Sequence, residues 1–125
     1  IINPVLFEQL FTLLNKVADI SLSNCKSRSI QINDYQIGSG NHNIGFVHLE
    51  IKILEGREKE IRNQIGRESM EIMKSYFKEY TTKCNIQYSI EILEMKKETT
   101  YKMNEHWEDQ IQCGDYYSRV EHLYG

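Results

Sequence analysis

The sequence predicts an α+β fold, two amphipathic helices laid on a small mixed β-sheet, and three observations predict it. Apolar residues recur at three- and four-residue steps in two stretches, alternate with polar residues in three others, and the two kinds of stretch are interleaved. A helix with one apolar stripe and a strand with one apolar face each need cover. They supply it to each other in a two-layer sandwich.

The first helix runs from Pro4 to about Leu22, with Leu6, Phe7, Leu10, Leu13, Leu14 and Val17 as its stripe. Asn3 can cap it, and Pro4, the only proline in the chain, fits a first turn in which a backbone N–H has no partner to lose. "SIQIN" follows as a short strand, Ile30 and Ile32 on one face and Ser29, Gln31 and Asn33 on the other. "GSGNHN", residues 38–43, is a turn by composition. It leads into "FVHLEIKI", where Val47, Leu49, Ile51 and Ile53 alternate with Phe46, His48, Glu50 and Lys52. Gly56 breaks this strand. From Glu58 to about Tyr80 the positions Ile61, Ile65, Ile72, Met73, Tyr76, Phe77 and Tyr80 describe the second helix, and "NIQYSIEILEM" returns as a strand. The residues after it keep no sustained period.

Bulk properties narrow the partners. A chain of 125 residues with 40% hydrophobic and 26% charged residues suits one globular domain with a modest core. Its net charge of -3 comes from 18 acidic and 15 basic residues mixed along the chain, so no basic patch is broad enough to track a nucleic acid backbone. No run approaches the roughly 18 apolar residues that span a bilayer, and the start lacks the marks of a signal peptide. The expectation is a cytoplasmic protein with neither a nucleic acid nor a membrane partner. Cys25, Cys84 and Cys113 are odd in number and far apart, which points to reduced thiols rather than a disulfide or zinc framework.

Several polar residues are candidates for a site. Arg57 follows Gly56 just before a helix start, where backbone N–H groups and the helix dipole favour an anion. Lys26 and Arg28, in "CKSRS", flank the beginning of the first strand. His42 lies in a polar turn, and His48, out of phase with the apolar residues of its strand, faces solvent or a neighbouring subunit. Phe46 shares the face of His48 and suits a pocket wall or an interface. Trp107, Tyr116, Tyr117 and Tyr124, in a tail with little else apolar, suit docking onto another surface.

The run "CKSRSIQINDYQIGSGNHNIGFVHLEIKILEGREKEIRNQIGRESMEIMKSYF" resembles the middle of 5-carboxymethyl-2-hydroxymuconate isomerases, a branch of the tautomerase superfamily. The likeness rests on the basic-Ser-Arg opening, the glycine-containing turn with His42, the "FVHLEIKI" strand, the Gly56-Arg57 pair and the helix that follows. It implies a tautomerase-like sandwich of repeated β-α-β units over residues 1–111, with 112–125 as a C-terminal extension, assembled as a homotrimer. It also implies an isomerase that needs no cofactor or metal and acts by enol–keto proton transfer on a muconate-type di- or tricarboxylate in aromatic-compound breakdown.

In such enzymes the base is the ring nitrogen of an N-terminal proline, at the head of a strand preceding the first helix. An α-amino group titrates near 7.7 to 8, and cationic neighbours lower it further, so the amine is free to accept a proton near neutral pH. Laid on that pattern, Pro4 falls at the helix start as a structural residue, and the strand with the catalytic proline is not among residues 1–125. Two expectations follow: an incompletely recorded enzyme, or a trimeric relative that binds without catalysing. By resemblance Arg57 matches an arginine that holds a substrate carboxylate, and Lys26 or Arg28 matches a second one. Lys26 stands where the family has arginine, so charge is kept there but the bidentate fork is lost. Arg57 and Lys26 are therefore the implied catalytic cations, and Arg57, Lys26, Arg28 and Phe46 the implied substrate contacts.

Overall fold

A computed structural model describes residues 4–40, 43–103 and 105. Helix α1 spans Pro4–Ala18 and buries Leu6, Leu10, Leu13 and Ala18, the inner part of the expected stripe. Pro4 opens it, where its fixed backbone angle suits the first turn. The helix stops four residues before Leu22 because Asp19 adopts a left-handed backbone, φ 54°. The freed groups find partners close by. The Ile20 N–H donates to the Leu14 carbonyl at 3.3 Å, and the Asn15 side-chain amide donates to the Ile20 carbonyl at 3.0 Å.

Strand β1 spans Ile44–Leu54, helix α2 spans Lys59–Tyr76 and strand β2 spans Asn85–Met95. The remainder of the expected second helix, Lys78–Thr82, is a separate 3-10 turn. The strands pair in parallel from Ile44 beside Asn85 to Leu54 beside Met95, without a bulge. Parallel strands cannot be joined by a tight turn, and α2 is the crossover that joins them. β1, α2 and β2 thus form one β-α-β unit, with α1 packed beside α2. Among the described residues the sheet has these two strands alone, and the antiparallel component that a mixed sheet requires is not among them.

Both helices cover the same face. Ile51 and Ile53 of β1, Ala18 of α1 and Ile65 of α2 form one buried cluster; Leu6, Leu10 and Met73 form another, and Leu49 packs against both. The opposite face carries Phe46, His48, Glu50 and Lys52 beside Gln87, Ser89, Glu91 and Leu93, and no described helix covers it.

One element departs from the sequence expectation. Ser29–Asn33 is not a strand, and Ile30 and Ile32 stand 73% and 53% exposed. Alternation creates a face but not a ladder: a strand exists only when a neighbour takes its backbone hydrogen bonds, and no described strand lies beside this one. Asn3, His42, Trp107, the tail tyrosines and the boundary at 111 fall outside the described residues.

Among the described residues Ile65 and Ser69 are fully buried, one helical turn apart on α2. The Ser69 hydroxyl has no hydrogen-bond partner among the described residues, so it carries the cost of lost hydration without return. Ile65→Ala should lower the unfolding free energy in urea by about 2–5 kcal/mol through the cavity it opens. Ser69→Ala should leave stability equal or raise it by up to about 1 kcal/mol. A large loss in Ser69→Ala would show that its hydroxyl is satisfied in solution.

Candidate active site

The in-register sheet decides what meets at its carboxyl end. Past the last pair, Leu54 with Met95, the Glu55 N–H still donates to the Met95 carbonyl at 2.9 Å. The Glu55 carboxylate then accepts the Lys97 backbone N–H at 2.6 Å. Gly56 has φ 116°, a conformation that side-chain-bearing residues avoid, and a Cβ there would lie 3.5 Å from Lys97 Nζ. The Lys97 side chain therefore lies over Gly56.

Arg57 comes next and turns back beneath the end of α1. Its Nε donates to the Ala18 carbonyl at 3.1 Å and its Nη1 to the Leu54 carbonyl at 3.3 Å. A guanidinium at a helix C-terminus satisfies a carbonyl that has no intrahelical donor and meets the negative end of the dipole. The side chain is half-buried and tied by two bonds, unlike a freely solvated surface arginine. Ala18, Asp19, Leu54, Glu55, Gly56, Arg57 and Lys97 together line an open cleft of about 400 Å³.

This cleft has the means to hold an anion. Neither Arg57 nor Lys97 forms an ion pair with a carboxylate among the described residues, although Asp19 and Glu55 line the same cleft. Arg57 keeps guanidinium N–H groups beyond the two that face carbonyls, and its orientation is already fixed. The setting, outside the carboxyl ends of parallel strands, is where ligands collect in open α/β sheets.

The other expected residues lie elsewhere in the chain. Lys26 and Arg28 are exposed on the irregular stretch after the 3-10 turn Leu22–Asn24, and neither lines the cleft. Phe46 is at the opposite end of β1, about 26 Å from Leu54 at the usual rise per residue, and meets Tyr35 edge to face at 5.3 Å. Within one chain, then, Arg57 is not brought together with Lys26, Arg28 or Phe46. Lys97 is the cation that sequence reasoning missed. The register could have found it, because extending the pairing two residues past Leu54 and Met95 sets Gly56 beside Lys97.

On the open face the His48 Nδ1 and Ser89 Oγ are 2.6 Å apart, while His48 Nε2 lies 3.7 Å from Glu50 Oε1. His48, Glu50 and Glu91 are all exposed. Cys25 and Cys84 are free thiols, and Cys113 lies outside the described residues. Burial pushes the Cys25 thiol up, which suppresses the reactive thiolate. Burial chiefly, and then Cys84, push the Tyr88 phenol up; its hydroxyl is enclosed without a partner among the described residues.

Arg57→Ala should cost about 1.5–3 kcal/mol of unfolding free energy, because it orphans the Ala18 and Leu54 carbonyls. Arg57→Lys should recover part of that loss, since an ammonium reaches one carbonyl but cannot fork between two. Denaturant titration of the three proteins checks this, and equal midpoints would show that both bonds are idle in solution.

Comparison with known proteins places this geometry in a family. Residues 3–108 match the family described as 5-carboxymethyl-2-hydroxymuconate isomerase. The chain is 29% identical over 101 residues to a 5-carboxymethyl-2-hydroxymuconate Delta-isomerase of Escherichia coli, covering 81% of this chain and 80% of that protein. The crystal structure of a 5-carboxymethyl-2-hydroxymuconate isomerase from Deinococcus radiodurans R1 superposes with a TM-score of 0.73 at 24% identity, over 82% of this chain and 78% of that one. A match that spans most of the chain, on the fold just described, means that this protein belongs to the 5-carboxymethyl-2-hydroxymuconate isomerase family of the tautomerase superfamily.

Proposed function

We propose that the protein is an isomerase that moves a proton between the enol oxygen and a remote carbon of an unsaturated 2-hydroxy di- or tricarboxylate, without a cofactor. The observation that carries this reading is Arg57: a half-buried guanidinium, held by two carbonyls at the carboxyl end of the sheet, with no carboxylate partner among the described residues. An anchored cation of this kind holds a substrate carboxylate and stabilises charge that grows on the neighbouring oxygen as the proton leaves.

In this reading the base is an N-terminal proline amine, as the family resemblance implies. Pro4 does not serve, because Asn3 precedes it and its nitrogen is an amide. Lys26, Arg28 and Phe46 join the site from a second subunit of a homotrimer. The uncovered sheet face with Phe46 exposed, and the sheet edges left unpaired among the described residues, give an assembly something to cover. A binding protein that has kept the cationic cleft without a base is the competing reading, favoured by the two structural bonds that Arg57 already makes.

Absorbance of a muconate-type 2-hydroxy diacid, followed with the native protein after its N-terminal residue has been identified by mass, decides between them. We expect ketonisation well above the solvent rate, and Pro4→Ala should retain it while losing about 1 kcal/mol of stability or less. Binding of the diacid without turnover would support the competing reading. Sedimentation should give three times the mass of one chain, as measured on the same sample by mass spectrometry. A stable monomer would remove the shared site.

A further inference from the structure

We infer that Lys97 determines specificity in this cleft: its ammonium receives the second carboxylate of a ligand whose first carboxylate Arg57 holds, so that the cleft selects diacids over monoacids. The inference rests on the reading of Arg57 as a carboxylate anchor.

Lys97 is exposed, but its place at the cleft is set by its backbone. That backbone is fixed twice. The N–H donates to Glu55 Oε2 at 2.6 Å, and the residue opens a 3-10 turn, Lys97–Thr99, in which the Thr99 N–H donates to the Lys96 carbonyl at 3.2 Å. The next residue closes the same turn, with the Thr100 hydroxyl donating to the Lys96 carbonyl at 2.7 Å. The side chain then runs across Gly56, where an added Cβ would be 4.0 Å from Cε and 3.5 Å from Nζ. These are ordinary van der Waals distances, so the lysine packs along Gly56, whose positive φ is what calls for glycine.

Lys97 lines the same cleft as Arg57, Asp19 and Glu55, and its ammonium forms no ion pair with either acidic residue among the described residues. Glu55 is engaged through the Lys97 backbone instead. The two cations also differ in kind. Arg57 offers a planar fork fixed by two carbonyls, which suits a carboxylate held in one orientation, whereas Lys97 offers a compact charge on a flexible stem, which suits a second carboxylate at variable reach.

Muconate and sorbate test this directly, since the two dienes share a six-carbon skeleton and differ by one terminal carboxylate. Calorimetric titration of the native protein should show muconate bound about fivefold more tightly than sorbate, the size expected for a partly exposed pair. In Lys97→Met and Lys97→Gln that preference should vanish while the affinity for sorbate stays the same, and Lys97→Arg should restore it. A preference that survives in both uncharged variants, equal losses for both acids, or no preference in the native protein would overturn the proposal. Failure of the isomerase reading shows itself differently, as absent turnover, and binding of the two probes still reports on Lys97.

Discussion

Everything described here depends on one constraint, the parallel pairing of two eleven-residue strands. Parallel strands demand a long crossover, and α2 must therefore lie on a face of the sheet. The apolar residues of β1, at every second position from Val47 to Ile53, choose which face. α1 then fills the surface left beside α2. The same pairing brings the two chain segments that leave the sheet, Glu55–Arg57 and Lys96–Lys97, out at one end and side by side. The fold and the candidate site have a common cause.

Arg57 shows how a structural duty and a chemical one are compatible in a single side chain. A guanidinium has five N–H donors in a plane, and two of them are spent on the Ala18 and Leu54 carbonyls. Those bonds hold the last turn of α1 against the end of β1, and they also fix the direction in which the remaining donors point. A lysine in the same place would have to choose. The site is preorganised because the side chain that binds is the one that joins two elements.

Much of this was legible in the residues. The alternation in "FVHLEIKI" and "NIQYSIEILEM" and the stripes on the two helices are local signals written by burial, and each became the element it announced. The alternation in "SIQIN" is as regular, yet Ser29–Asn33 is no strand, because a ladder depends on a neighbour that no local pattern can report. Helix ends were legible only in part. Nothing in the composition around Asp19 announces a left-handed residue, so the helix expected to about Leu22 stops four positions earlier, at Ala18. The Gly56-Arg57 pair marked the site, but Lys97 became visible only when the register was known, since it stands 40 residues further along the chain.

Asp19 has a consequence beyond ending a helix. Asp19, left-handed in its backbone, also lines the cleft, whose charged lining residues are Arg57 and Lys97 together with Asp19 and Glu55, two of each sign. A concavity with no net formal charge casts little field beyond its rim and does not draw anions in from a distance. Encounter is then left to ordinary diffusion, and recognition is postponed until a ligand is already inside, where the placement of each charge counts and their sum does not.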